Sequence, residues 1–293
     1  MQIGDLTLMF TTLITCAELQ ALQQTGAPLL LMDCTADLMN PNAAREAFVA
    51  GHLPGALHAD LERDLSAHNG AEAVSGGRHP LPRREVFAQW LRQVGLRSDT
   101  QVVVYDRNGM NFCGRLWWML QWAGHEAVAV LDGGMTAWTA DGGAVESGPA
   151  ADRPPSDWAL QPPLRELVTA DDVLAHLDQP DQTLIDARAA PRYRGEVEPL
   201  DPVAGHIPGA LNRPFALNVD AQGRFKPAAT LRAEFEALLR GRDPASVVHQ
   251  CGSGVSALPN MLAMEVAGFA RTRLYAGSWS EWCSDPSRPV EKG

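Results

Sequence analysis

Long apolar runs are missing from this chain of 293 residues, and basic residues are scarce. A helix that spans a bilayer needs about 20 consecutive apolar residues, so the sequence predicts no membrane insertion. Lysine and arginine number 24 against 35 aspartates and glutamates, which gives a formal net charge of -11. Because nucleic acids and anionic membrane surfaces attract basic proteins, we expect neither as a partner.

Cysteine is also sparse, with five residues scattered at positions 16, 34, 113, 251 and 283. Their odd number and unpaired spacing argue against a disulfide framework and indicate a reducing compartment, so we expect a cytoplasmic protein. Close Cys/His pairs of the kind that bind structural zinc are absent, and no metal is expected. The apolar stretch from Leu6 to Cys16 lacks a basic flank, and we interpret it as a short strand and a helix start rather than a signal segment.

What the sequence does contain is a duplication. The segment from Gly51 to Leu57 (Gly-His-Leu-Pro-Gly-Ala-Leu) recurs from Gly205 to Leu211 (Gly-His-Ile-Pro-Gly-Ala-Leu). An apolar run that ends in aspartate precedes each copy, and a second apolar run and a tryptophan motif follow: Leu29–Asp33, Val102–Tyr105 and Gly133–Trp138 in the first half; Thr183–Asp186, Val247–His249 and Gly277–Trp282 in the second. The chain therefore consists of two copies of one unit.

The pattern within each unit predicts an α/β fold. Strands that read as continuous apolar runs alternate with helical patterns, which favours a mostly parallel sheet flanked by helices on both faces. The predicted domains are residues 1–145 and 165–293. The linker between them, residues 146–164, is rich in proline, alanine, serine and aspartate and has no clear period.

One position breaks the duplication and carries chemistry. Cys251 follows an apolar run and precedes a loop of small residues, and a helical pattern begins at Leu258. Small residues let successive backbone N–H groups turn inward, and a helix N-terminus adds positive potential. Both favour the thiolate, which is the nucleophilic form of cysteine. Asp106 aligns with Cys251, so we expect the second domain to do the chemistry and the first to form one wall of a cleft.

These residues resemble a known family. The duplicated halves, the His-(Leu/Ile)-Pro-Gly-Ala signature in each, and the Cys-Gly-Ser-Gly-Val-Ser loop at Cys251 are similar to the tandem-domain rhodaneses and 3-mercaptopyruvate sulfurtransferases. The resemblance covers nearly the whole chain. It implies two rhodanese-like domains, of which the C-terminal one is catalytic, and sulfur transfer through a Cys251 persulfide. It implies no metal or organic cofactor. The expected partners are a small-molecule sulfur donor and a thiol acceptor, either a small thiol or a thioredoxin-like protein.

Within this family, the loop distinguishes the sulfur donors. Thiosulfate-type enzymes carry basic residues after the cysteine, whereas Gly252 and Ser253 are neutral here, as in the mercaptopyruvate pattern. We therefore expect 3-mercaptopyruvate as donor and pyruvate as product. A thiosulfate:cyanide sulfurtransferase and a non-enzymatic sulfur carrier stay open as alternatives. A cysteine phosphatase would need an arginine six residues after the cysteine, where Ala257 stands.

The resemblance also assigns roles to side chains. Arg192 occupies the family's substrate-arginine position, and Arg188 is a second candidate for binding substrate. Ser253 takes the serine place of the family's proposed triad, and His52 the histidine place, while the acidic partner is not assigned. The loop expected to bind the transferred sulfur comprises Gly252, Gly254, Val255, Ser256 and Ala257.

One departure concerns the second substrate arginine. Leu200 stands where the family often has an arginine in a Glu-Pro-Arg context. The sequence offers four arginines that could replace it and does not choose among them: Arg107, Arg188, Arg194 and Arg213.

Overall fold

The computed structural model describes residues 9–293, and these residues form two units of the same topology. The first unit contains the strands β1 (Leu13–Ile14), β2 (Leu29–Asp33), β3 (Leu57–His58), β4 (Gln101–Tyr105) and β5 (Val128–Leu131). They pair in parallel in the order β1-β5-β4-β2-β3. Its helices are α1 (Cys16–Thr25), α2 (Pro41–Ala50), α3 (Arg84–Gln93), α4 (Cys113–Trp122) and α5 (Gly134–Ala140).

The second unit repeats this arrangement. Its strands are β6 (Leu167–Val168), β7 (Thr183–Asp186), β8 (Leu211–Asn212), β9 (Val247–Gln250) and β10 (Arg273–Tyr275), in the parallel order β6-β10-β9-β7-β8. Its helices are α6 (Ala170–Ala175), α7 (Ala190–Tyr193), α8 (Ala228–Leu239), α9 (Leu258–Val266) and α10 (Ser278–Trp282). Two short 3₁₀ helices also occur, Phe215–Asn218 and Pro244–Ser246. The predicted α/β fold with two parallel sheets is confirmed.

The N-terminal stretch forms a strand and a helix where it is described. The first three residues of the Leu6–Cys16 segment lie outside the described residues, and the rest contains β1 and the start of α1. Thr15 accepts a hydrogen bond from the amide of Glu18, and the Glu18 side chain binds the amide of Thr15 in return. This capping box fixes the beginning of α1. None of the helices described is long and apolar enough to cross a membrane.

The segment between the units packs on the first one. The chain between α5 and β6 forms no regular helix or strand, and its Trp158 is buried in the core. The amides of Gln161 and Leu164 donate to the carbonyls of Ala123 and Gln121 at the end of α4. The predicted linker thus lies along the first domain, while its boundaries stay a prediction.

The two units share a hydrophobic interface. Helices α4 and α9 pack against each other, and a Cβ added at Gly114 would lie 2.9 Å from the Cβ of Leu258. The absence of a side chain at Gly114 therefore lets the helices approach closely. Residues of both units belong to one buried cluster, including Leu116 and Trp117 from α4 and Met261 and Leu262 from α9. This packing brings first-domain side chains to the end of β9.

Candidate active site

Cys251 lies at the carboxyl end of the central strand β9. The chain leaves β7 toward β8 on one side of the sheet and leaves β9 toward β10 on the other. Such a switch point opens a crevice at the carboxyl ends of parallel strands, where α/β proteins bind ligands. Cys251 is 1% exposed, and the other four cysteines are also buried and unpaired.

The backbone around Cys251 is held by the segment that begins α10. The amide of Cys251 donates to the Ser278 hydroxyl at 3.1 Å, and its carbonyl accepts from the amide of Trp279 at 3.0 Å. Gly254 has a φ of +73°, and a Cβ there would lie 2.1 Å from the Ala276 carbonyl oxygen. Because only glycine fits this position, Gly254 allows the loop to adopt its conformation.

The first domain shows what this loop conformation binds. The buried Asp106 carboxylate accepts hydrogen bonds of 2.8–2.9 Å from four backbone amides, those of Asn108, Met110, Phe112 and Cys113. Burial raises the pKa of the Asp106 carboxyl, and these four amides oppose that rise. The loop is therefore an anion-binding nest, and Asp106 occupies it.

The same nest is open in the second domain. Aligning Asp106 with Cys251 places Asn108, Met110 and Phe112 opposite Ser253, Val255 and Ala257. In the part of the chain that the structure describes, no amide from Gly252 to Ala257 donates to another protein atom. The loop residues predicted to bind sulfur, which include Gly252, Gly254 and Ser256, thus provide unpaired amide donors directly after Cys251.

Ser253 is hydrogen-bonded to a histidine of the first domain, but not to the predicted one. Its hydroxyl lies 2.7 Å from Nδ1 of His79, and Nε2 of His79 lies 2.9 Å from Oε1 of Glu62. The prediction that His52 serves Ser253 is wrong. His52 uses Nδ1 to bind the Phe48 carbonyl at 2.8 Å, and its ring stacks on Phe48.

His79 is a neutral imidazole at neutral pH. Burial, followed by the nearby cations Arg115 and Arg78, lowers its pKa to about 3. A neutral ring donates from one nitrogen and accepts at the other. With Nε2–H donating to Glu62, Nδ1 can accept from the Ser253 hydroxyl, which orders a serine–histidine–carboxylate relay.

His79 reaches the second domain because two glycines precede it in the segment Gly76-Gly77-Arg78-His79. Gly77 has a φ of +88°, and a Cβ there would lie 2.5 Å from Oγ of Ser280 and 2.7 Å from the carbonyl oxygen of Gly277. A larger residue could not approach the start of α10 so closely. Adjacent glycines before a histidine were the signal in the sequence that could have identified this segment.

A buried arginine connects the loop with this relay. Arg115 on α4 is fully buried and donates hydrogen bonds of 3.0 Å to the carbonyls of Gly254, His79 and Leu65. Burial lowers the pKa of its guanidinium to about 10, and Cys251 and Glu62 oppose that shift. Arg115 therefore fixes the distance between the two domains at the site and places a positive charge near Cys251.

The two predicted substrate arginines have different surroundings. Arg188 is 3% exposed, pairs with Asp186 at 2.7 Å, donates to the Gly205 carbonyl and lies over the Trp279 ring. Its guanidinium is held in a buried ion pair, and its role in binding substrate stays a prediction. Arg192 pairs with Glu198 at 2.7 Å and stays beside the loop, where its Nη1 would lie 3.6 Å from a Cβ at Gly252.

The described residues contain no group of three or more histidine, cysteine or acidic side chains that could hold a metal ion.

Comparison with known families defines the class of protein. The rhodanese-like domain family matches residues 15–141 and 169–285. Each match covers one of the two units apart from its first strand, β1 or β6. The chain belongs to the rhodanese family as a member with two tandem domains.

Curated relatives and solved structures span nearly the whole chain. A probable 3-mercaptopyruvate sulfurtransferase of Pseudomonas aeruginosa is 47% identical over 286 residues, which cover 96% of this chain and 100% of the relative. A putative thiosulfate sulfurtransferase of Mycobacterium tuberculosis is 41% identical over 287 residues, covering 96% and 97% of the two chains. The crystal structure of SseA from Escherichia coli, described as a 3-mercaptopyruvate sulfotransferase, aligns with a TM-score of 0.75 and 31% identity and covers 93% and 100%. The names of these relatives contain two different sulfur donors, 3-mercaptopyruvate and thiosulfate.

Proposed function

We propose that the protein is a sulfurtransferase that moves sulfur from 3-mercaptopyruvate to a thiol acceptor through a persulfide on Cys251. The observation that carries the proposal is the open amide nest around Cys251, in the position where Asp106 fills the equivalent nest of the first domain. The mercaptopyruvate names of the Pseudomonas aeruginosa and Escherichia coli relatives support the donor.

In the first step, the Cys251 thiolate attacks the sulfur of 3-mercaptopyruvate. A sulfur–sulfur bond forms, the carbon–sulfur bond breaks, and its electron pair goes to the carbon as the enolate of pyruvate. The nest amides of Ser253, Val255 and Ala257 stabilise the developing persulfide, because donors fixed before the reaction need no reorganisation during it.

The enolate then needs a proton. The thiol of the donor brings this proton into the site: the Ser253 hydroxyl protonates the enolate carbon and takes a proton back from the outer sulfur of the new persulfide. His79 orients the hydroxyl, because its neutral ring accepts from Ser253 at Nδ1 and donates to Glu62 from Nε2. Pyruvate leaves, and Cys251 stays as the persulfide.

In the second step, the thiolate of an acceptor attacks the outer sulfur, forms its own persulfide and releases the Cys251 thiolate. The result is a covalent cycle with ping-pong kinetics. A small thiol or a thioredoxin-like protein fits the acceptor role, and cyanide replaces it in an assay. The proposal places this cycle in a reducing compartment such as the cytoplasm, where the five unpaired cysteines stay reduced.

Thiosulfate is the second candidate donor. The Mycobacterium tuberculosis relative carries that name, and Leu200 removes the usual second arginine for a carboxylate. The neutral residues Gly252 and Ser253 argue against it, because the thiosulfate dianion is better matched by cations directly after the cysteine.

The experiment that tests the proposal compares sulfur transfer to cyanide from 3-mercaptopyruvate and from thiosulfate, with wild type and Cys251→Ser. We expect kcat/KM for 3-mercaptopyruvate to be higher by about tenfold or more, since one charged contact is worth about that factor, and we expect no transfer by the variant. A higher kcat/KM for thiosulfate would contradict the proposed donor. Transfer by Cys251→Ser would contradict the proposed nucleophile.

A further inference from the structure

Because Leu200 replaces the second substrate arginine, the second domain offers only Arg192 to the carboxylate of the donor. None of the four arginines considered from the sequence is available: Arg188 pairs with Asp186, Arg194 with Glu196, Arg213 with Glu234, and Arg107 donates to the carbonyls of Gly51 and Ala47. We infer that Arg78 of the first domain supplies the second cation, so that Arg78 and Arg192 together hold the carboxylate of the sulfur donor. This inference rests on the proposed function.

The two guanidinium groups meet at Gly252, directly after the nucleophile. A Cβ added at Gly252 would lie 3.1 Å from Nη2 of Arg78 and 3.6 Å from Nη1 of Arg192. The side chains are 28% and 19% exposed, so solutes can reach them. Two cations from different domains thus face the same small volume beside Cys251.

Acidic neighbours orient both arginines and leave one guanidinium nitrogen of each without a hydrogen-bond partner among residues 9–293. Asp201 pairs with Nη1 of Arg78 and lies 3.4 Å from Nη2 of Arg192, while Glu198 binds Nε and Nη2 of Arg192. Within the described residues, Nη2 of Arg78 and Nη1 of Arg192 have no hydrogen-bond partner, and these are the nitrogens closest to Gly252. A carboxylate placed there would accept from one nitrogen of each arginine.

The backbone around Arg78 is built to bring it across the interface. The amide of Gly76 donates to Glu281 at 2.8 Å, and the amide of Arg78 donates to Oγ of Ser280 at 3.1 Å. Gly77 fits against the start of α10 because it has no side chain. These contacts hold the backbone from Gly76 to Arg78 against the second domain, so the position of Arg78 does not depend on Asp201 alone.

The same geometry explains why residue 252 is glycine. A side chain at Gly252 would enter the space between the two guanidinium groups and displace the carboxylate. The basic residue that thiosulfate-type loops carry after the cysteine would also repel both arginines. The pair Arg78 and Arg192 therefore selects a donor that carries a monocarboxylate near its transferable sulfur, such as a thiol-bearing 2-oxo acid.

The test compares Arg78→Met with wild type on two donors, 3-mercaptopyruvate and mercaptoacetone, which lacks the carboxylate. We expect Arg78→Met to lower kcat/KM for 3-mercaptopyruvate about 10- to 100-fold, as for the loss of one charged hydrogen bond, mainly through KM. With mercaptoacetone the variant and wild type should be equal. Arg97→Met, which removes an exposed first-domain arginine paired with Asp99, is the matched control and should behave as wild type.

Equal losses of kcat/KM on both donors would show that Arg78 acts on the fold of the site and not on the carboxylate, and would overturn the inference. An unchanged kcat/KM for 3-mercaptopyruvate in Arg78→Met would overturn it as well. In both cases the proposed function stands. If wild type transfers no sulfur from 3-mercaptopyruvate, the proposed function fails. The inference is then decided by whether pyruvate slows alkylation of Cys251 by iodoacetamide. Protection of wild type that is lost in Arg78→Met supports the clamp, and equal protection, or none, overturns it.

Discussion

At the scale of single residues, His52 and His79 show why a motif did not identify the histidine that contacts Ser253. Both are buried residues of the first domain, but their ring nitrogens have different partners. His52 belongs to the repeated Gly-His-Leu-Pro-Gly-Ala-Leu motif and binds the Phe48 carbonyl, four residues back along the chain. Its counterpart His206 likewise stacks on Tyr193 and binds a carbonyl. The motif therefore marks a structural turn in both domains.

We predict that His79→Asn lowers the rate of pyruvate release by about 100-fold or more, the usual size of a general acid–base contribution. Asparagine cannot bridge Ser253 and Glu62 as the imidazole does, so the Ser253 hydroxyl loses the orientation from which it donates. Because His79 has a pKa of about 3, it stays neutral as the pH falls through about 6.5, and the wild-type rate should show no histidine titration there. Single-turnover pyruvate release across this pH range measures both.

His52→Asn is the matched control, because an asparagine amide can keep the hydrogen bond to the Phe48 carbonyl. It should release pyruvate at the wild-type rate per folded molecule. A large loss in His52→Asn together with full activity in His79→Asn would restore the assignment made from the motif.

At the scale of elements, most of the regular structure was predictable. The predicted runs Leu29–Asp33 and Thr183–Asp186 coincide with β2 and β7, because interior parallel strands are buried on both faces and read as continuous apolar runs. The helix after Cys251 begins at Leu258 as expected. The strand and helix pattern could not show that the Asp106 carboxylate fills the first nest while the amides of the second nest stay unpaired in the described part of the chain. Both facts depend on backbone N–H directions, which side-chain periodicity does not encode.

The two nest glycines offer a prediction at this scale. Gly109 and Gly254 have φ values of +68° and +73°, but a Cβ at Gly109 meets nothing within 4 Å, whereas at Gly254 it meets the Ala276 carbonyl. Gly109→Ala should lower the free energy of unfolding by about 1–2 kcal/mol, the cost of a left-handed alanine. Gly254→Ala should cost more and abolish sulfur transfer, because the loop must move. Urea unfolding and the sulfur-transfer assay check both, and equal costs with retained activity would contradict the loop geometry.

At the scale of the whole molecule, both domains contribute side chains to the proposed active site. The second domain supplies Cys251, Ser253 and the open nest, and the first supplies His79, Glu62 and Arg115. The sequence predicted a cleft wall from the first domain but not these side chains, because His79 and Ser253 are 174 residues apart. Contacts of that separation arise from domain packing through α4 and α9, which local patterns do not report.

The remaining cysteines have surroundings that disfavour the thiolate. Burial raises the pKa of all four: to about 11 at Cys16, and upward at Cys34, Cys113 and Cys283. In addition, none of them stands where Asp106 and Cys251 stand, at the start of a nest loop. A persulfide formed by the donor should therefore appear on Cys251 alone.

The most direct test of the account is the mass of the protein after one turnover without acceptor. Wild type mixed with one equivalent of 3-mercaptopyruvate should release one pyruvate and gain the mass of one sulfur atom, located by peptide mapping to the segment that contains Cys251. Cys251→Ser should show neither change. Pyruvate release without added sulfur on the wild-type protein, or sulfur found on another cysteine, would contradict the account.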